Sequence, residues 1–82
     1  MHNITIEAHD IPQPYSALLG ALTLEEIIKL ADRINGLRIY FKRGQFEEMK
    51  AFETISECIG YPQAIAVCQE FAGENIYFTR VY

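Results

Sequence analysis

The sequence predicts a mostly helical α+β fold built from a duplicated helix–helix–strand unit, with four helices packed on a two-stranded antiparallel ribbon. The first observation is a repeat: "NGLRIYFKRG" and "AGENIYFTRV" share a glycine, the tripeptide Ile-Tyr-Phe and an arginine at the same spacing. The second is that a shift of 37 residues, which places Gly36 on Gly73, aligns the two halves without a gap and keeps most apolar positions apolar. The third is that helical periodicity precedes a strand-like segment in each half, as in a repeated supersecondary unit.

The length and composition set the class of protein. The chain has 82 residues, which fits a single domain over 1–82, with one repeat at about 13–44 and the other at about 45–82. Half of the residues are hydrophobic, including five Phe and five Tyr, which is enough for a packed core. The net charge is −4, whereas modules that hold DNA phosphates normally carry a basic surplus. Because the sequence shows no signal peptide and no apolar run of about 20 residues, we expect a cytoplasmic protein that does not enter a membrane.

The first half predicts two helices and a strand. Alternation over 2–8 is a weak strand signal, and the prolines of "DIPQP" interrupt regular structure. A short helix is predicted over 13–22 by apolar residues at helical spacing: Tyr15, Leu18, Leu19 and Leu22. Thr23 and Glu26 then fit a capping box that opens a second helix, and Gly36 ends it. The apolar face of this second helix contains Leu24, Ile27, Ile28, Ala31 and Ile34.

The second half repeats this order. After a strand over 37–42, a third helix is predicted over 46–59 and ends at Gly60. Pro62 suits the first position of a fourth helix, where its missing N–H costs nothing. The buried stripe of that helix is predicted to contain Ile65, Cys68 and Phe71, and the last strand covers 75–82. We expect Leu37, Ile39, Phe41, Ile76 and Phe78 to face the helices, and Tyr40 and Tyr77 to be exposed neighbours across the ribbon.

Few residues suggest catalysis. Cys58 and Cys68 are interpreted as small buried hydrophobes, with a disulfide or a metal pair as the alternatives. His9 and Asp10 offer a second, isolated pair of metal donors, and no phosphate-binding loop or His-containing metal motif is present. We therefore expect a protein that is not an enzyme and that has no catalytic residue, metal site or cofactor.

Two charged surfaces are candidate binding sites. The first is a basic aromatic face that includes both strands: Arg38, Tyr40, Lys42, Arg43, Tyr77 and Arg80. The second is an acidic helical face in the second half: Glu47, Glu48, Glu53, Glu57, Glu70 and Glu74. The alternative for both sets is a solvated surface that keeps the molecule soluble.

The stretch "AFETISECIGYPQAIAVCQEFAGENIYFTR" resembles the Mor transcription activator family of phages and prophages. The matching features are Ile59-Gly60 at the end of one helix, Pro62-Gln-Ala64 at the start of the next, and the spacing Phe-x-Gly-x-x-Ile-Tyr-Phe from Phe71 to Phe78. The first half matches more weakly, through Ile28, Gly36 and Ile39-Tyr40-Phe41. In that family the segment is a dimerisation region: helices pair into a bundle, strands of two subunits pair beside them, and a helix–turn–helix DNA-binding domain follows.

The resemblance also has two departures. Lys42 and Thr79 stand where the family usually has proline after the strand. The sequence ends at Tyr82, so we expect the DNA-reading domain to be lacking, and no DNA-contacting residue is carried over from the family.

Three functional hypotheses follow. The leading one is a non-catalytic protein-interaction module of phage or prophage origin, with a protein partner or a second copy of the chain. It would regulate or inhibit a Mor-type transcription activator, or a host defence complex such as a CRISPR effector. The second is a nucleic-acid-binding regulator that uses the basic aromatic strand face. The third is a dimerisation domain with no separate activity.

Overall fold

The computed structural model describes residues 8–81 and has an α+β architecture. Within that range, the α-helices are α1 (Leu24–Ile34), α2 (Lys50–Ile59) and α3 (Tyr61–Glu70), and the strands are β1 (Arg38–Tyr40) and β2 (Asn75–Tyr77). Short 3₁₀-helices occupy Ala8–Asp10, Tyr15–Leu18 and Phe46–Glu48. The strands form an antiparallel ribbon, and α2 packs against both α1 and α3. The predicted α+β class and antiparallel ribbon are therefore confirmed.

The predicted capping box opens α1. The backbone N–H of Glu26 donates to Thr23 Oγ1 at 3.1 Å, and the backbone N–H of Thr23 donates to Glu26 Oε1 at 2.9 Å. These bonds satisfy two of the N–H groups that the first turn leaves without intrahelical partners. The helix ends at Ile34 with Asn35 as its C-cap, and Gly36 follows with φ 87°, which a glycine adopts without steric cost.

A single glycine separates α2 from α3. Gly60 has φ 93°, donates its backbone N–H to the Ser56 carbonyl at 2.8 Å, and precedes Tyr61 at the start of α3. Pro62 is the second residue of α3 rather than the first as predicted, and there too its missing N–H removes no intrahelical bond.

The ribbon has a register that matches the sequence repeat. Ile39 lies opposite Ile76, and these two residues are 37 positions apart. Gly36 N–H donates to the Phe78 carbonyl at 2.8 Å, and Gly73 N–H donates to the Phe41 carbonyl at 2.7 Å. Phe78 N–H donates to the Leu37 carbonyl, and Phe41 N–H donates to that of Glu74, both at 2.8 Å. When each residue is exchanged for its equivalent 37 positions away, the Gly36–Phe78 bond becomes the Gly73–Phe41 bond. The same exchange turns the Phe78–Leu37 bond into the Phe41–Glu74 bond. The ribbon therefore has local twofold symmetry.

The core joins the ribbon to the helices. Phe41, Phe71 and Phe78 contact one another with ring centroids 5.3–6.0 Å apart, and Tyr15 lies 5.6 Å from Phe78. Eighteen hydrophobic residues of the described chain are buried. Burial confirms the predicted inward positions of Ile39, Phe41 and Phe78, while Ile76 is only half-buried.

The prediction for Leu37 is wrong, because this side chain is 46% exposed. Its backbone N–H donates to the Ile34 carbonyl at 3.0 Å, so Leu37 still belongs to the turn that follows α1. The alternation of inward and outward side chains begins only at Arg38, where β1 starts.

The predicted helix over 13–22 is also wrong, and the described chain has three α-helices rather than four. Only the 3₁₀-helix Tyr15–Leu18 forms there, with Ala17 N–H donating to the Pro14 carbonyl at 3.2 Å. Pro12 and Pro14 have no N–H to donate, and Gly20 disfavours continuation, which leaves too few residues for an α-helix. The equivalent positions in α2 and just before it are Met49, Ala51 and Glu57, and there the α-helix forms.

Two further boundaries differ from prediction. The helix expected over 46–59 is divided at Met49, whose ψ of 135° is extended and whose side chain is buried. The strands expected over 37–42 and 75–82 have only three residues each. Phe41 and Phe78, which directly follow the strands, still hydrogen-bond across the ribbon. The 2–8 strand prediction falls, apart from Ala8 in a 3₁₀-helix, outside the described residues, as does Tyr82.

The helix faces are rotated relative to the predicted stripes. Leu30 and Val67, which occupy equivalent positions in α1 and α3, are fully buried. Leu24, Ile28 and Ile65, which were predicted to be core residues, are half-buried.

No helix within residues 8–81 has the length and apolar character needed to cross a bilayer.

Candidate functional site

Exposed apolar surface is concentrated at the ribbon. Among residues 8–81 the large hydrophobic side chains with high exposure are Leu37 (46%), Tyr40 (58%), Tyr61 (53%) and Tyr77 (50%). Three of these four lie in the ribbon or directly before it. Scattered apolar residues are normal on a protein surface, but a cluster of large ones marks a candidate binding site.

The outer face of the ribbon combines aromatic rings with a cation. Arg38 lies opposite Tyr77, and its guanidinium carbon is 5.4 Å from the centroid of the Tyr77 ring, within cation–π range. Tyr40 lies opposite Asn75. The two tyrosines, predicted to be cross-strand neighbours, are diagonal neighbours, because Tyr77 lies opposite Arg38 and Tyr40 lies opposite Asn75.

The other basic residues of the predicted face lie around the ribbon. Lys42 Nζ is 3.2 Å from Glu48 Oε1, and the Arg43 guanidinium packs over Gly73, with its central carbon 3.1 Å from where a Cβ would be. Arg80 lines a separate hollow with Ile28 and other residues of α1. The structure therefore gathers Arg38, Tyr40 and Tyr77 on one face and distributes Lys42, Arg43 and Arg80 over neighbouring surfaces.

A groove of about 460 Å³ lies between β1 and α2, and we call it the β1–α2 groove. The residues that border it on the ribbon side are Leu37, Arg38, Ile39, Tyr40 and Lys42. Met49, Lys50, Ala51 and Thr54 border it on the helix side. Three of its lining residues are cationic, and none is acidic. The groove therefore combines apolar surface with basic residues.

The six candidate acidic residues are all exposed, but the chain itself contacts half of them. Glu48 pairs with Lys42, and Glu57 Oε1 is 3.6 Å from Arg33 Nη2. The Tyr61 hydroxyl donates to Glu47 Oε2. This hydrogen bond lowers the pKa of Glu47 and raises the pKa of Tyr61. Glu53, Glu70 and Glu74 are the other members of the set, and they come from two helices and a turn.

Neither the two cysteines nor His9 belongs to a cluster of metal-ligating residues within residues 8–81. Both cysteines are free: Cys68 is buried, as predicted, while Cys58 is only half-buried. Burial raises the pKa of Cys68 to about 11, which keeps this thiol protonated at neutral pH. His9 Nε2 lies 3.4 Å from Asp10 Oδ1, and no group of three or more His, Cys, Asp or Glu residues suited to a metal ion occurs within the described chain.

Sequence reasoning missed part of the β1–α2 groove. Leu37 was assigned to the core, and Lys50 and Thr54 were not considered as site residues. The repeat itself carries a signal for Leu37, because the equivalent position in the second half is Glu74, a residue suited to a surface. Lys50 carries a similar signal, because its equivalent position in the first half is Gln13, a polar residue that also suits a surface.

No protein-family model, no curated protein and no solved structure matches this chain.

Proposed function

We propose that the chain is a non-catalytic protein-interaction module of phage or prophage type, which regulates or inhibits its partner by binding it through the ribbon and the β1–α2 groove. The observation that supports this most is the concentration of Leu37, Tyr40 and Tyr77 on exposed surface beside Arg38. Tyrosine and arginine are enriched at the centres of protein interfaces. Complete burial of one large apolar side chain contributes roughly 1.5–3 kcal/mol, and these side chains are about half exposed in the free chain.

The internal symmetry of the ribbon supports a specific class of partner. We infer that the chain is a duplicated helix–helix–strand unit, because the ribbon bonds and the aligned core positions repeat at an interval of 37 residues. On the Mor-like resemblance, the chain forms within itself a strand pair that two activator subunits form together. A Mor-type activator is therefore the first candidate partner, since a chain that imitates its dimer surface would compete for its subunits.

A host defence complex such as a CRISPR effector is the second candidate partner. Such a complex contains basic channels for nucleic acid, and exposed carboxylates can occupy a channel of that kind. Glu53, Glu70 and Glu74 are the residues of this chain that we assign to such a contact. Glu47, Glu48 and Glu57 contribute less, because each already contacts another side chain of the chain.

Affinity capture with matched variants tests this function. The tagged full chain is used as bait in host lysates with and without the prophage, and bound proteins are quantified by mass spectrometry. We expect a specific partner that is lost with Tyr40→Ala/Tyr77→Ala. The partner is retained with Tyr61→Ala, which removes an equally exposed ring outside the ribbon and groove. Recovery of no specific protein, or equal recovery by both variants, contradicts the proposal.

Nucleic-acid binding is the alternative function, and the joint exposure of Arg38, Tyr40 and Tyr77 is the observation that favours it. Aromatic rings beside a cation can stack on the bases of a single strand. A gel-shift titration on single-stranded and duplex DNA, with salt varied, separates the two functions. A protein-interaction module gives no shift at low salt, whereas a nucleic-acid binder gives a shift that weakens steeply as salt is added.

A further inference from the structure

The backbone of β1 is open along its outer edge. In an antiparallel pair, residues alternate between those that bond to the partner strand and those whose N–H and C=O point away from it. The bonds from Phe41 to Glu74 and from Phe78 to Leu37 fix this alternation, so Ile39 bonds to Ile76 and the polar groups of Arg38 and Tyr40 point outward. None of the backbone bonds that residues 8–81 make outside the regular elements uses Arg38 or Tyr40.

This open edge lines the β1–α2 groove. The groove therefore offers two kinds of contact side by side: the outward backbone groups of Arg38 and Tyr40, and apolar side chains from α2 and its start, such as Met49 and Ala51. An extended peptide that adds a strand to a sheet edge uses both kinds, because its backbone bonds to the edge while alternate side chains enter pockets. Neighbouring strands lie about 4.8 Å apart, so the added strand would lie between β1 and α2.

The basic residues of the groove favour an extended segment that carries acidic side chains. Arg38, Lys42 and Lys50 line it, and Glu48 neutralises only Lys42. At the equivalent positions beside β2 the three cations are replaced by uncharged residues, namely Asn75, Thr79 and Gln13. The positive charge is thus a property of one edge and not of the repeated unit.

The chain after β2 accepts a hydrogen bond that has no counterpart in the chain after β1. The Tyr15 hydroxyl donates to the Thr79 carbonyl at 2.6 Å and ties the chain beyond β2 to the 3₁₀-helix Tyr15–Leu18. The equivalent of Tyr15 is Phe52, which has no hydroxyl and cannot make this bond to the chain beyond β1. The chain beyond β2 is therefore tied down at Thr79, whereas the chain beyond β1 has no such bond from Phe52.

From these observations we propose that the β1–α2 groove binds an extended acidic segment of a partner protein, which adds as a third strand to the outer edge of β1. This inference rests on the proposed interaction function and specifies its contact. The acidic side chains of the segment pair with Arg38 and Lys50, and its apolar side chains cover Leu37 and Ala51.

Fluorescence anisotropy with the full chain tests strand addition. The probe is a labelled peptide in which valine and glutamate alternate. Its controls are a form methylated on alternate backbone nitrogens and a form with lysine in place of glutamate. We expect the valine–glutamate peptide to bind and both controls to bind about tenfold more weakly or not at all, because they lack the edge hydrogen bonds or the charge match.

Charge reversal with a matched control locates the contact. Arg38→Glu/Lys50→Glu is expected to weaken peptide binding by about tenfold or more. Gln13→Glu/Asn75→Glu places the same charges at the equivalent positions beside β2 and is expected to leave binding within about twofold. Circular dichroism confirms that the variants are folded, which is expected since all four side chains are exposed.

Several outcomes overturn the inference and leave the proposed function standing. Equal binding of the backbone-methylated peptide, or no binding of the acidic peptide, rules out strand addition even if the ribbon tyrosines are still needed to capture a partner. A dimer in light scattering that Arg38→Glu/Lys50→Glu abolishes would show that a second copy occupies the edge. If the peptide does not bind and no partner is captured, the proposed function fails as well.

Discussion

The outer edges of β1 and β2 are equivalent in backbone and different in chemistry. Ile39 and Ile76 occupy the centre of the ribbon, and the hydrogen bonds on either side repeat after a shift of 37 residues. The β1 edge carries Leu37, Arg38 and a nearby Lys50, whereas the corresponding residues near β2 are Glu74, Asn75 and Gln13. Most buried positions have an apolar counterpart 37 residues away, whereas the exposed residues of the two edges differ.

The difference teaches that a binding residue is best sought where the symmetry of the ribbon fails. Phe41 and Phe78 are both fully buried, because each half must contribute to one core. Leu37 is 46% exposed, and its equivalent in the second half is the exposed and charged Glu74. The exposure of the leucine side chain to water is unfavourable in free energy, and a partner that covers Leu37 removes that unfavourable term.

The largest effect is expected where the two halves agree. Phe41→Ala and Phe78→Ala should each lower the free energy of unfolding by about 3–5 kcal/mol, because each removes a buried ring from the same aromatic cluster. The two losses should be equal within about 1 kcal/mol in urea unfolding if the positions are equivalent. Leu37→Ala serves as the control with a loss below about 1 kcal/mol. A loss that small for either phenylalanine would contradict the symmetric core.

A smaller effect is expected where one half has a hydroxyl and the other does not. Tyr15→Phe removes the bond to the Thr79 carbonyl and should cost about 1–2 kcal/mol, whereas Phe52 has no such bond to lose. Burial raises the pKa of Tyr15 to about 12 from an ordinary value near 10, so the neutral form stabilises the fold. Stability should be complete below about pH 10 and fall as the pH rises toward 12. Urea unfolding as a function of pH should show a weaker alkaline decline for Tyr15→Phe, and an identical decline would contradict this assignment.

The next-largest change in stability is expected at the starts of α1 and α3. Thr23 and Gly60 occupy equivalent positions before α1 and α3, and only Thr23 has a side chain that caps its helix. Thr23→Ala should cost about 1 kcal/mol, and Thr23→Gly only a few tenths, since glycine is tolerated at this position. Thermal unfolding of both variants measures the difference. Unchanged thermal stability in Thr23→Ala would show that the capping box contributes nothing.

The smallest expected effect concerns a surface pair outside the ribbon. Tyr61→Phe removes the hydroxyl that donates to Glu47, so the pKa of Glu47 should rise toward its ordinary value. The native hydrogen bond favours folding above the unfolded pKa of the carboxyl, and that contribution is lost as the pH falls through the folded pKa. An NMR titration of the Glu47 carboxyl measures the change. An unchanged pKa would mean that the hydrogen bond does not persist in solution.

Most of the architecture follows from local sequence signals. The capping box of Thr23 and Glu26, the stops at Gly36 and Gly60, and the paired Ile-Tyr-Phe segments are all in the structure as predicted. These features depend on neighbouring residues, so a sequence pattern can show them. The helix over 13–22 was predicted wrongly because helical spacing was given more weight than two prolines and a glycine.

The candidate site was harder to predict, because it depends on tertiary contacts. The aromatic ribbon face followed from the alternation of Ile39, Tyr40 and Phe41. The β1–α2 groove did not, since it needs the tertiary packing of α2 beside the edge of β1, which no local sequence pattern shows. Leu37 was missed because a leucine beside a strand pattern is usually buried, and only the turn after α1 exposes it.

Amide hydrogen exchange of the chain with and without the valine–glutamate peptide tests strand addition at β1 most directly. The N–H groups of Arg38 and Tyr40 point outward in the free chain, as do those of Asn75 and Tyr77 on the other edge. All four should exchange quickly in the free chain. We expect the peptide to slow exchange at Arg38 and Tyr40 by about tenfold or more and to leave Asn75 and Tyr77 unchanged. Equal protection of both edges, or protection of neither while the peptide is bound, would contradict a binding site at the outer edge of β1.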